Sequence, residues 1–107
     1  MVRVIAEVTF SPLGTGTPSL SRYVTAGLAV LSQHPEVTYQ LNAMGTVLEG
    51  ERGDIIKVVE EMNEAIFAVG VLRVGTTLKI DERRDKDTSI NHKVDSVRRG
   101  LAGESES

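Results

Sequence analysis

The chain has 107 residues, 40% of them hydrophobic and 25% charged, and 12 Lys+Arg against 15 Asp+Glu leave a formal net charge of −3. That length suits a single domain, and the absence of cysteine removes disulfides, thiolate nucleophiles and Cys-ligated metals from consideration. A net negative chain with two Phe, two Tyr and no Trp offers neither the basic face nor the stacking platforms that nucleic acids require.

The apolar pattern alternates between period two and period 3.6. Val2, Val4, Ala6, Val8 and Phe10 interleave with Arg3, Ile5, Glu7 and Thr9, which predicts a strand over 2–10 with one buried face. Ser11 to Ser19 reads as a loop of breakers and small hydroxyls. Thr17-Pro18, with Ser19 as a rival cap, opens a helix that runs to about His34 before Pro35, with Leu20, Val24, Leu28 and Leu31 as its stripe. A second strand is predicted over Val37 to Ala43, with Val37, Tyr39, Leu41 and Ala43 sharing the inward face. Met44-Gly45 turns the chain into a third strand, Thr46 to Glu51. Gly50 to Gly53 reads as the turn into a second helix with the stripe Ile55, Val58, Val59, Met62, Ile66 and Val69, closed by Gly70. The fourth strand, Val71 to Asp81, places Leu72, Val74, Thr76, Leu78 and Ile80 inward. After the charged turn Glu82 to Asp87 comes a last helix carrying Ile90, Val94, Val97 and Leu101.

This order predicts an α+β, ferredoxin-like βαββαβ sandwich. A four-stranded antiparallel sheet carries two helices on one face, strands one and three are central, and a C-terminal helix is added. One domain is assigned to 1–102 and a disordered tail to 103–107. No stretch is long and apolar enough for a membrane span, and no signal-peptide pattern opens the chain, so a soluble, cytoplasmic protein is expected.

Two helices cover one sheet face, and the alternation leaves Arg3, Ile5, Glu7, Thr9, Thr38, Gln40, Asn42, Val47, Glu49, Arg73, Thr77 and Lys79 on the other. Such a face is either solvated, with cross-strand charge pairs, or meets a ligand or another subunit. The last helix has an apolar stripe with no place in the helix layer, so it either caps its own sheet edge or packs on a neighbour, and a homo-oligomer is expected. His34 and His92 have no metal-ligand spacing and read as structural or surface residues. Gly14-Thr15-Gly16 lacks the lysine and spaced glycines of a phosphate loop, although it precedes a helix N-terminus that could rim a ligand site. The charges from Asp81 to Asp87 read as a solvated connector more readily than as a metal site.

Several stretches taken together resemble the small thiamine-binding protein family, long known as a domain of unknown function. They are Glu7-Val8, Ser11-Pro12-Leu13-Gly14-Thr15-Gly16, Ser19-Leu20-Ser21-Arg22-Tyr23-Val24, Tyr39-Gln40-Leu41, Met44-Gly45-Thr46, Glu49-Gly50 and Lys79-Ile80-Asp81-Glu82-Arg83-Arg84-Asp85-Lys86. The likeness covers about residues 2 to 100. It implies a ferredoxin-like protein, assembling as a homodimer or homotetramer through sheet faces, that binds thiamine or its hydroxymethylpyrimidine part without turnover and needs no cofactor.

An aminopyrimidine asks for a carboxylate acceptor and for hydroxyl or amide partners. Facing and resemblance together nominate Glu49 first and Glu7 second, with Ser11, Gln40 and Thr46 as polar partners and Tyr39 or Met44 as an apolar wall. The competing readings are a small hydrolase or isomerase using Glu7 or Glu49 as acid or base, and a regulatory oligomer sensing another metabolite. An acylphosphatase-like reading is weakened by the lack of an arginine between Ser11 and Ser19.

Overall fold

A computed structural model describes residues 2–16, 21–85 and 90–103. The elements are β1 (Arg3–Leu13), α1 (Ser21–Leu31), β2 (Thr38–Asn42), β3 (Gly45–Glu51), α2 (Arg52–Ala68), β4 (Arg73–Glu82) and α3 (Ile90–Leu101). The strands form one antiparallel sheet in the order β2-β3-β1-β4, the ferredoxin-like arrangement with strands one and three central. The anticipated cap Thr17-Pro18-Ser19, the stripe residue Leu20, Lys86 to Ser89, the side chains of Asn91 and His92 and the last four tail residues lie outside what is described.

The core follows from the alternation. Val4, Ala6, Val8 and Leu48 project from the two central strands onto Ile55, Val58, Val59 and Met62 of α2, with Leu31 and Val37 closing the side. A smaller cluster joins Tyr23, Ile66 and Val71. Each such aliphatic side chain contributes about 1.5–3 kcal/mol by leaving water, so an aliphatic core serves a chain nearly devoid of aromatics. The α1–α2 contact is close at Gly27, where an added Cβ would lie 3.4 Å from Ile66 Cδ1 and 3.7 Å from Met62 Cε.

Several local expectations are corrected. β1 continues through Ser11-Pro12-Leu13 rather than ending at Phe10. Beyond Val8 it pairs with β4 alone, and a strand tolerates proline where one of its edges is free. The buried residues of α1 are Tyr23, Gly27 and Leu31; of the expected stripe Leu31 is buried and Leu28 packs against the core, while Val24 faces solvent. In the second helix no turn precedes the first residue. β3 passes directly into α2 at Glu51, and the Arg52 N–H donates to the Val2 carbonyl at 2.8 Å. Gly50 serves close packing instead of turning, since a Cβ there would stand 3.2 Å from the Glu36 carbonyl oxygen. Gly70 does close the helix, with φ +119° and its N–H on the Phe67 carbonyl.

Leu72, expected inward, is 95% exposed, and Val71 is buried in its place. β4 begins only at Arg73, so the strand alternation does not extend back to Leu72. β2 is likewise exposed along its whole length, Tyr39 and Leu41 included. It is an edge strand, and α2 packs on β1, β3 and β4.

Candidate functional site

The sheet face opposite α1 and α2 is organised in rows. Across the strands, Thr38, Glu49, Ile5 and Asp81 stand in register, and the next row is Gln40, Val47, Glu7 and Lys79. Period two puts all eight side chains on one face. A shallow depression lies on this face, lined by Ile5, Ala6, Glu7, Val47, Lys79 and Asp81. Its floor is apolar and its rim carries both charge signs.

α3 lies on this same face, neither on the sheet edge nor detached. The Ile90 N–H at its start donates to Glu49 Oε1 at 2.9 Å, and the Lys93 ammonium pairs with Asp81. Both acceptors belong to the first row and flank Ile5, so the first turn of α3 bridges the Ile5 position. Ile5 is accordingly buried on a face that α1 and α2 leave open. The Lys93 ammonium, through its hydrogen bond and its charge, holds the Asp81 carboxyl below the usual carboxylate range. Further along, Val97 and Leu101 point to solvent, Leu101 at 84% exposure.

The two nominated carboxylates differ sharply. Glu49 is mostly enclosed, with 15% side-chain exposure, and accepts from Ile90 N–H and from Thr38 Oγ1 at 3.1 Å, while Arg3 Nη2 stands 3.6 Å away. Glu7 is exposed and has no hydrogen-bond or ion-pair partner among the described residues. Gln40 occupies the same row as Glu7, and its amide reaches Asn42 Oδ1 at 3.3 Å. Ser11 lies on this face further along β1, opposite Gly75.

The structure does not bring the other nominees to this place. Thr46 is buried towards the helices and Tyr39 shares that side, being in register with Leu48. Met44 sits in the β2–β3 turn at 88% exposure. The sequence had put Lys79 on this face and Asp81 outward but nominated neither as a site residue beside Glu7. Their alternation with Leu78 and Ile80 was the available signal.

Away from this face, His34 bridges two carboxylates: Nδ1 meets Glu36 Oε1 at 2.8 Å and Nε2 meets Glu61 Oε2 at 2.5 Å. With both ring nitrogens facing acceptors, the imidazolium is favoured. The hydrogen bond to Glu36 first, then the charges of Glu61 and Glu36, raise its pKa. In the charged connector, Glu82 receives Arg52 Nη1 at 2.6 Å and also pairs with Arg84, while Arg83 forks onto Asp85 at 2.7 and 2.8 Å. These charges are satisfied by one another. Among the described residues no group of three His, Asp or Glu side chains converges as a metal site, and no helix is long and apolar enough to cross a membrane.

The family profile described as "Thiamine-binding protein" matches residues 6–98. The chain belongs to this family. Its relatives include UPF0045 protein YqgV of Bacillus subtilis, 42% identical over 100 residues that cover 91% of this chain and 96% of the relative. A UPF0045 protein of Methanothermobacter thermautotrophicus is 45% identical over 96 residues, covering 89% and 96%. Among solved structures, the hypothetical protein MJ1052 of Methanocaldococcus jannaschii superposes with a TM-score of 0.84 at 40% identity, covering 92% of this chain and 98% of that one. A Thermotoga maritima protein provisionally assigned to thiamine biosynthesis or salvage superposes with a TM-score of 0.75 over 90% of this chain and 99% of its own. At 20% identity that likeness concerns the fold.

Proposed function

We propose that this protein binds thiamine, or its hydroxymethylpyrimidine part, on the open sheet face and releases it unchanged. The observation that carries this reading is Glu7, an exposed carboxylate on a central strand with no ion-pair or hydrogen-bond partner among the described residues, set beside an apolar floor of Ile5 and Val47. An aminopyrimidine has an exocyclic amine to donate to a carboxylate, a charge-assisted bond, and a flat apolar ring to lie on such a floor. Gln40 and Ser11 supply amide and hydroxyl groups on the same face, and Glu49 supplies a second acceptor one row away. Membership in the thiamine-binding family supports the ligand class. Thr46, Tyr39 and Met44, nominated from the sequence, would enter such a site only from a different part of the surface.

The exposed stripe of Val94, Val97 and Leu101 supports assembly into a homodimer or homotetramer.

Titration calorimetry with thiamine tests the site. Glu7→Gln keeps the shape and removes the charge, and weakens binding by about 1–3 kcal/mol, the worth of a hydrogen bond to a charged group. Glu49→Gln weakens it by a similar amount if that carboxylate is also a ligand acceptor. Unchanged affinity in either variant removes that residue from the site. Recovery of thiamine intact after long incubation is the expected result for a binding protein, and a converted product would establish an enzyme instead.

A further inference from the structure

We infer that the depression selects a dipolar aminopyrimidine, the phosphate monoester of hydroxymethylpyrimidine, with Glu7 accepting from the ring amine and Lys79 meeting the phosphate. The inference rests on the reading of that face as an aminopyrimidine site and adds to it a ligand class and a residue that sets specificity.

Glu7 and Lys79 are register partners on β1 and β4, both are exposed, and both line the depression. Directly opposed residues of antiparallel strands stand about 4.5–5.5 Å apart at Cβ. Neither has a hydrogen-bond or ion-pair partner among the described residues, the other included. An exposed ion pair contributes little in any case, so their mutual attraction is weak competition for a ligand that engages both.

The neighbouring charges leave these two as the poles of the depression. Arg3 Nη2 stands 3.6 Å from Glu49, and Lys93 pairs with Asp81. Asp81 is the other carboxylate of the rim, two residues along β4 from Lys79. Lys93 first, then Arg83 and Lys79, hold the Asp81 carboxyl below the usual carboxylate range. Its negative charge is therefore offset by cations where an anion would approach Lys79. One end of the depression is acidic at Glu7, the other basic at Lys79, and Ile5 and Val47 give the ring an apolar seat between the rows.

Hydroxymethylpyrimidine carries its amine and its hydroxymethyl group on neighbouring ring carbons. Phosphorylation of that hydroxyl sets a strong multi-oxygen anion beside the amine, as Lys79 is set beside Glu7, and the ammonium gains a charge-assisted bond. The free alcohol offers Lys79 a neutral acceptor only. Thiamine carries a cationic ring at the same position and gains nothing from Lys79.

Calorimetry in a buffer free of inorganic phosphate compares the alcohol and its phosphate ester on the unaltered chain and on three variants. The ester binds about three- to tenfold more tightly than the alcohol to the unaltered chain, as one exposed charge-assisted contact gives. Lys79→Gln brings the two ligands to equal affinity, and Lys79→Arg, which keeps the charge, keeps the preference. Arg73→Gln also keeps it, because Arg73 is on the same face but opposite Leu13, six residues and about 20 Å along β4 from Lys79.

An ester that binds no better than the alcohol, or a preference that survives Lys79→Gln, overturns the inference and leaves the aminopyrimidine reading standing on the alcohol's own binding. A preference lost equally in Arg73→Gln overturns it too, since the general field of the face would then be the cause. If neither ligand binds the unaltered chain, the reading of the face as an aminopyrimidine site fails and the inference falls with it.

Discussion

At the scale of single residues, the His34 clamp gives the clearest pH dependence. Its folded pKa lies above the ordinary 6.5, so the stability it contributes is complete below 6.5 and is lost as pH rises through the raised value. Glu36 is shifted the other way, by a hydrogen bond with its own backbone and by the one with His34. Its contribution is complete above 4.5 and is lost as pH falls through the lowered value. The clamp is therefore strongest between about pH 5 and 6.5. His34→Gln is expected to lower the thermal midpoint most in that window, and the gap to the unaltered chain should narrow towards pH 9. A gap that is constant with pH would show that packing, and not charge, gives His34 its role. The glutamates of the ligand face make the complementary point. Both were legible as open-face carboxylates from alternation alone, yet Glu49 meets the start of α3 while Glu7 has no partner among the described residues.

At the scale of elements, patterns of regular period were legible wherever the element spans the core. β1, β3 and α2 present the faces their sequences predict, because a one-residue slip would exchange every buried side chain for an exposed one. The pattern misled at element ends. Leu72 continues the alternation of β4 in sequence but lies in the connection before it, and Pro12 reads as a breaker but falls where β1 has one free edge. Alternation already assigned Tyr39 to the face opposite Glu49, and motif resemblance grouped them regardless. The α1–α2 seam offers an element-scale prediction. Gly27 sits in a helix interior with space for a methyl group at ordinary contact distance from Ile66 and Met62. Gly27→Ala should therefore stabilise the fold by about 0.5–1 kcal/mol in urea unfolding, through reduced backbone entropy in the unfolded chain. A destabilised variant would mean that the seam has no slack at that point. Met62→Ala, by contrast, empties the centre of the main cluster and is expected to cost about 2–5 kcal/mol.

At the scale of the whole molecule, the chain places its apolar surface in two unequal parts. The helix-covered side of the sheet is filled, whereas on α3 Val97 and Leu101 stay exposed and Val94 is only partly covered by the described residues. An assembly that buries this stripe predicts a light-scattering mass of two or four times the 11.6 kDa chain at micromolar concentration. Val97→Glu should reduce that mass, because a charge buried at an interface without a partner is costly. A monomeric mass for the unaltered chain would end the oligomer reading. Heating scans extend the test to the ligand. A compound that binds only the folded protein raises the midpoint by mass action, so thiamine and hydroxymethylpyrimidine should raise it where amino acids and phosphate do not.

The sequence by itself determined the element order, the sheet topology and which side of each central strand is buried. These depend on local periodicity and on chain-crossing rules that leave one compact arrangement. It also carried the family likeness and the set of carboxylates on the open face. Only the tertiary structure decided which of them is available. An amphipathic helix announces that it needs a partner but not which surface it will meet. Among the described residues the start of α3 meets the sheet through two polar contacts made far apart in sequence, 41 residues for Ile90 with Glu49 and 12 for Lys93 with Asp81. No periodicity encodes such pairings, and they are what separate Glu49, met by a helix start, from Glu7, which has no partner among the described residues.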